Sequence, residues 1–156
     1  MTSAEDELAV RSLLASYSDA VTLGDPAAAA SAFAEDAVLE AFGGPEVTGR
    51  AAIEAALASR LARKEGAFAL QMTMCVGGRF ASDGSSCEAR SHYLEISRSA
   101  EQGIGRLSIG IMDDKLARGP DGRWRIVRRR LVRSYVGDVD TPGKTFPLGI
   151  EAWGVD

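Results

Sequence analysis

Proton transfer needs a group that changes charge near neutral pH, and this chain offers one imidazole, His92. Its other chemistry-bearing residues are Tyr17, the aspartates Asp19, Asp25, Asp113 and Asp114, and the arginines Arg125, Arg128, Arg129, Arg130 and Arg133. An imidazole suits a general base. A phenol or a protonated carboxyl suits a donor to developing negative charge. A guanidinium is a fixed fork of donors for a carboxylate, an enolate or a leaving halide. A single histidine excludes a three-histidine metal site, and Cys75 and Cys87 form no CxxC and no His/Cys cluster. No metal and no cofactor are expected.

These side chains need elements to aim them. Ser3 reads as an N-cap, with acids in the first turn that suit the helix dipole. Val10, Leu13, Leu14, Tyr17, Ala20 and Val21 then fall on one helical stripe, predicting a helix over 4–23. Gly24 can end it, and Asp25-Pro26 can open a second helix over 26–34, with Asp at the cap and Pro at the first helical position. AVLEAF and EVT read as strands around a GGP turn. A third helix follows over 50–64, with Ile53, Ala56, Leu57 and Leu61 on one face. From 67 to 136 the pattern is that of four long antiparallel strands, and Asp83-Gly84 is a tight-turn signal between two of them. The segment 137–156 lacks periodicity but carries Phe146, Leu148, Ile150 and Trp153. It is expected to be an irregular tail packing on the body or on a partner subunit.

The 156 residues suit one domain, 1–156, with a real core. Apolar residues make up 46% and the net charge is −4, which favours neither nucleic acid nor an acidic membrane. The acidic start has no apolar run, and nothing later is long enough to span a bilayer. A cytoplasmic setting is the expectation. Helices segregated to one face of a curved antiparallel sheet make an α+β fold. The reading is a cone-shaped sheet with three N-terminal helices enclosing a cavity. The sheet face bearing Trp124 and Ile126 is expected to lie outside and to be covered in a homodimer.

Tyr17, Gly24-Asp25, FAEDAVLE (33–40), VTGRAAI (47–53) and DGRWRI (121–126) together resemble the nuclear transport factor 2-like superfamily, in its SnoaL-like branch. The resemblance runs from about Leu8 to Val136. It implies a cofactor-independent lyase, isomerase or cyclase for a small, mostly apolar or aromatic molecule. The superfamily also holds noncatalytic subunits, so a ligand-binding protein of the same fold stands as the alternative.

Counted against ketosteroid isomerase, the oxyanion tyrosine falls on Tyr17 and the oxyanion aspartate near Asp114. The base falls on Ala41, which cannot accept a proton, and adjacent Glu40 points to the opposite strand face. Counted against the Asp-His dyad of a dehydrochlorinase, the aspartate falls on Asp25. The histidine falls on Thr73, with Met72 and Met74 beside it as pocket residues. A two-residue Asp83-Gly84 turn would pair Cys75 with His92 and put Thr73, Cys75 and His92 on one face, so that His92 becomes the base. A β-bulge would reverse that parity. The same register puts Asp114 inward, Asp113 outward, and Arg129 in the pocket as an anchor, with Val127 and Leu131 beside it. Structural roles remain open for each: Tyr17, His92, Met72 and Met74 as core, Asp25 as a helix cap, and the arginines as a solvated face or a dimer interface.

Overall fold

The computed structural model describes residues 4–62, 67–98 and 104–141. Helix α1, Ala4–Leu23, carries Glu5, Asp6 and Glu7 in its first turn and buries Val10, Leu13, Leu14, Tyr17, Ser18, Ala20 and Val21. Ser3 lies outside the described residues. The helix ends as predicted: the Gly24 amide donates to the Val21 carbonyl at 3.2 Å and the Asp25 amide to the Ala20 carbonyl at 2.9 Å. Helix α2, Pro26–Ser31, opens on the Asp25 cap, whose carboxylate accepts from the Ala28 amide at 2.9 Å. It stops short of 34 because the chain is already extended at Phe33, the start of strand β1 (Phe33–Ala41). The short strand β2 is Val47–Thr48. Helix α3, Arg50–Leu61, buries Ile53, Leu57 and Leu61, whereas Ala56 is exposed.

Four long strands follow: β3 Phe68–Phe80, β4 Ser86–Arg98, β5 Ile104–Arg118 and β6 Trp124–Asp140. Strand β6 takes in 137–140, the first residues of the expected tail, and 142–156 lie outside the described residues. The sheet order is β2-β1-β6-β5-β4-β3. Neighbours pair antiparallel except β1 and β6, which run parallel. The expected antiparallel sheet is therefore mixed. Alternation along a strand fixes its faces but not its direction, so nothing in the β1 sequence could show this. Helix α3 follows β1 and β2, where the sequence pattern puts it, so two strands separate the described helices and they do not form one N-terminal block. Helix α1 packs on β3, and α2 packs on α3.

Register shifts decide which side chains face the helices. One falls in β3 between Cys75 and Gly77, where Gly77 holds φ 151°. Two more fall in β6, leaving Val127 and Ser134 as the extra residues. Each reverses the inward-outward alternation beyond it. Trp124 and Ile126 are consequently in the core, 5% and 0% exposed, and not on the outer face where unbroken alternation puts them. Val127, expected inward, is only partly buried. The outer face instead exposes Leu70, Met72, Met74, Ile109 and Val132.

The inner face is a set of cross-strand rows. Beginning at the 118–124 turn, they run Cys87–Leu116–Ile126, then Ala89–Asp114–Arg129, Ser91–Met112–Leu131 and Tyr93–Gly110–Arg133. Gly110 has no room for a side chain. A Cβ there would stand 2.1 Å from the Val132 carbonyl oxygen and 2.6 Å from the Tyr93 ring. At the turn end, Asp6 of α1 accepts from the Trp124 indole at 3.2 Å and pairs with Arg118, tying the helix to the sheet.

Candidate active site

Asp114 and Arg129 are direct register partners on β5 and β6, and both side chains are fully buried. Arg129 donates from Nε to Asp114 Oδ1 at 2.7 Å and from Nη2 to Oδ2 at 2.8 Å, a fork-to-fork pair. The guanidinium carbon also lies 4.0 Å from the centroid of the Tyr17 ring and 5.7 Å from that of Phe33. Phe33 meets Tyr17 edge-on, with centroids 5.9 Å apart. Burial works against the Arg129 charge. The facing Asp114 carboxylate, with a smaller share from Tyr17, outweighs it and holds the guanidinium above its ordinary range.

Three of the predicted residues thus converge. Asp114 is inward, and its neighbour Asp113 is outward, bonded to Arg90 at 2.6 Å. Two buried polar atoms beside the pair have no hydrogen-bond partner: Nη1 of Arg129 and Oγ of Ser91. Ser91 occupies the row next to Asp114, about 7–8 Å away diagonally between backbones. A buried, unmet donor costs about 1–3 kcal/mol, so each can take an ordered water or a ligand atom as its partner.

The remaining predicted residues lie elsewhere. His92 is exposed on the outer face, opposite Met74, while its neighbours Ser91 and Tyr93 are buried. The Asp83-Gly84 hairpin does set the expected register, since Phe80 pairs with Cys87. The shift after Gly77 then brings Ser91, not His92, opposite Cys75 and Tyr93, not Leu94, opposite Thr73. Met72 and Met74 are 49% and 64% exposed on that same outer face and line no inner pocket. Thr73 points inward, where its hydroxyl bonds Ser18 of α1. Gln71 donates to the Ser18 hydroxyl at 3.2 Å, so Thr73 helps fasten α1 to β3. Asp25 caps α2 and lies past the end of α1, which is itself six residues, about 9 Å of helix rise, beyond Tyr17. Glu40 faces out, as expected, and accepts from Arg130 at 3.2 Å.

Ser91, Ser18 and Phe33 were missed in the sequence. The signal for Ser91 was its parity with Ala89 and Tyr93, which becomes readable once the Gly77 shift is known.

The family description "SnoaL-like domain" matches residues 2–130. No curated protein is similar enough in sequence to count as a match. Among solved structures, a putative scytalone dehydratase from Novosphingobium aromaticivorans DSM 12444 superposes with a TM-score of 0.75. It is 22% identical, over 92% of this chain and 93% of that one. A hexachlorocyclohexane dehydrochlorinase (LinA) type 2 gives a TM-score of 0.76 at 16% identity, over 92% and 94% of the two chains. A protein from Catenulispora acidiphila in complex with S-DNPA gives 0.64 at 22% identity, over 81% and 91%. At these identities the likeness is one of fold.

Proposed function

Because the chain belongs to the SnoaL-like family of the nuclear transport factor 2-like superfamily, we propose that it is a cofactor-independent lyase, isomerase or cyclase in which Asp114 moves the proton and Tyr17 and Arg129 donate hydrogen bonds. Its substrate is a small, mostly apolar or aromatic molecule carrying a carbonyl or similar oxygen. The observation that carries the reading is the fully buried Asp114–Arg129 pair with one guanidinium nitrogen left unmatched. That nitrogen suits an oxygen on which negative charge develops, and the Tyr17 phenol beside it is a second donor. An ionised carboxylate has about four lone-pair sites, and Arg129 uses two, so Asp114 can still take a proton from an adjacent carbon. Asp114 therefore replaces His92 as the proposed base. Asp25, Met72 and Met74 have no part in it.

The fold neighbours named as a dehydratase and a dehydrochlorinase, and the one holding S-DNPA, support small-molecule chemistry in this fold. The exposed Leu70, Met72, Met74, Ile109 and Val132 favour a homodimer through the outer sheet face. No described helix is long and apolar enough to cross a membrane, and a cytoplasmic setting remains the proposal. A noncatalytic ligand-binding role is the second reading. The observation in its favour is the outward position of His92.

The test is deuterium exchange. A panel of small aromatic ketones is incubated with the protein in D2O, and NMR follows label entering next to the carbonyl. Exchange that falls about 10²–10⁴-fold in D114N, with its circular dichroism unchanged, is the expected result. Exchange indifferent to both D114N and R129K overturns the proposed site. Binding of ketones without exchange selects the second reading.

A further inference from the structure

We infer that the inner face carries a second anchor, a carboxylate subsite on Arg133, at the end of the sheet remote from the 118–124 turn. The inference rests on the small-molecule reading above and adds a substrate class: a planar molecule bearing a carboxylate.

The subsite is organised by Phe42. This residue follows β1 and holds φ 59°, a backbone conformation that bulky residues rarely adopt and that concentrates where function requires it. Its amide is fixed by the Leu131 carbonyl at 2.9 Å. Two cations share its ring: the Arg133 guanidinium carbon lies 3.9 Å from the centroid and that of Arg60 lies 5.4 Å away. The Tyr93 ring is alongside, with centroids 6.4 Å apart.

The charges there do not balance. Arg60 is bonded to Glu95 at 2.7 Å. Arg133 has no carboxylate partner among the described residues. The other arginines of β6 each have one: Arg125 with Asp121, Arg128 with Glu46, Arg129 with Asp114 and Arg130 with Glu40. Two guanidinium groups on one ring with a single carboxylate leave one positive charge unmatched. A fork of N–H donors stacked on an aromatic face is suited to a bidentate carboxylate whose planar body lies against Phe42 and Tyr93.

Position ties the subsite to the proposed chemistry. Arg129, Leu131 and Arg133 follow one another on the inner face of β6, before the shift at Ser134. Arg133 is therefore about 13 Å along the strand from Arg129. A ligand held at Arg133 by its carboxylate can extend its body along β6, across the Leu131 row, toward Asp114 and Arg129.

The experiment titrates 2-naphthoate and its neutral isostere 2-naphthamide into the wild-type protein, R133Q and R133K by calorimetry, with circular dichroism as the check on folding. The wild type should bind the carboxylate at least about tenfold more tightly than the amide. R133Q should erase that preference, weakening the carboxylate far more than the amide. R133K should retain part of it, since a point charge replaces the fork. Equal affinity for the two probes, or a preference that survives R133Q, overturns the subsite and leaves the Asp114–Arg129 reading standing. Binding of neither probe also overturns the subsite, while the exchange assay alone decides the Asp114–Arg129 reading.

Discussion

The Arg129 guanidinium is held on its edge by Asp114 and on its flat side by Tyr17, so one side chain joins β5, β6 and α1. Removing either member of the Asp114–Arg129 ion pair leaves a buried charge uncompensated. Asp114→Ala should lower unfolding stability by about 3–5 kcal/mol in urea denaturation. The double variant D114L/R129M should recover much of that loss, because two apolar side chains carry no buried charge. A single-variant loss under about 1 kcal/mol would show that the pair is not the buried unit described.

His92 is the only imidazole, and it faces outward. H92Q should therefore keep both fold and turnover within about twofold of wild type, against the 10²–10⁴-fold fall expected of a lost base. Kinetics on any substrate found in the exchange panel checks this. A large fall in H92Q would return His92 to the chemistry.

The apolar outer face predicts self-association. Met74 and Val132 lie in one cross-strand row, with His92 and Ile111 between them. Burying such a face gains roughly 25 cal/mol per Å² of apolar area. M74E and V132E should each shift the mass from dimer to monomer in light scattering at micromolar concentration. A wild-type protein that is monomeric there rules out the dimer.

The turn between β5 and β6 should respond to acid. Arg125 donates to Asp121 at 2.9 and 2.6 Å, and the Arg123 amide donates at 3.2 Å. These bonds, those from Arg125 first, hold the Asp121 carboxyl well below its usual range. A carboxyl depressed in the folded state contributes stability above its unfolded pKa of about 3.9, and that contribution is lost as pH falls toward the folded value. The gap in urea midpoint between wild type and D121N should be constant above about pH 5 and shrink steadily below about pH 4.

Helix α1, the Asp25-Pro26 start of α2 and the four long strands were legible because each rests on local signals: a buried stripe, a cap, a turn. Asp114 inward and Arg129 inward were legible too, through family register and strand parity. What misled was the assumption of unbroken alternation. Counting from Asp83-Gly84 is correct as far as Gly77 and wrong beyond it, and that single step moved His92 from one face to the other. The extra residue at Val127 did the same to Trp124 and Ile126. A bulge depends on how two strands meet, which is tertiary information that neither strand states alone.

Gly110 carries a lesson for mapping this protein by saturation mutagenesis. It sits beneath the Tyr93 ring with the Val132 carbonyl oxygen 2.1 Å from where any Cβ would go. Every replacement must force β5 and β6 apart in the row that also holds Arg133. In a tolerance screen, Gly110 should be as depleted as Asp114 or Arg129, although it donates and accepts nothing with a side chain. Ranking positions by intolerance alone would therefore enlist a spacer among the chemical groups. A screen that reads abundance alongside activity separates them, because Gly110 variants lose both together.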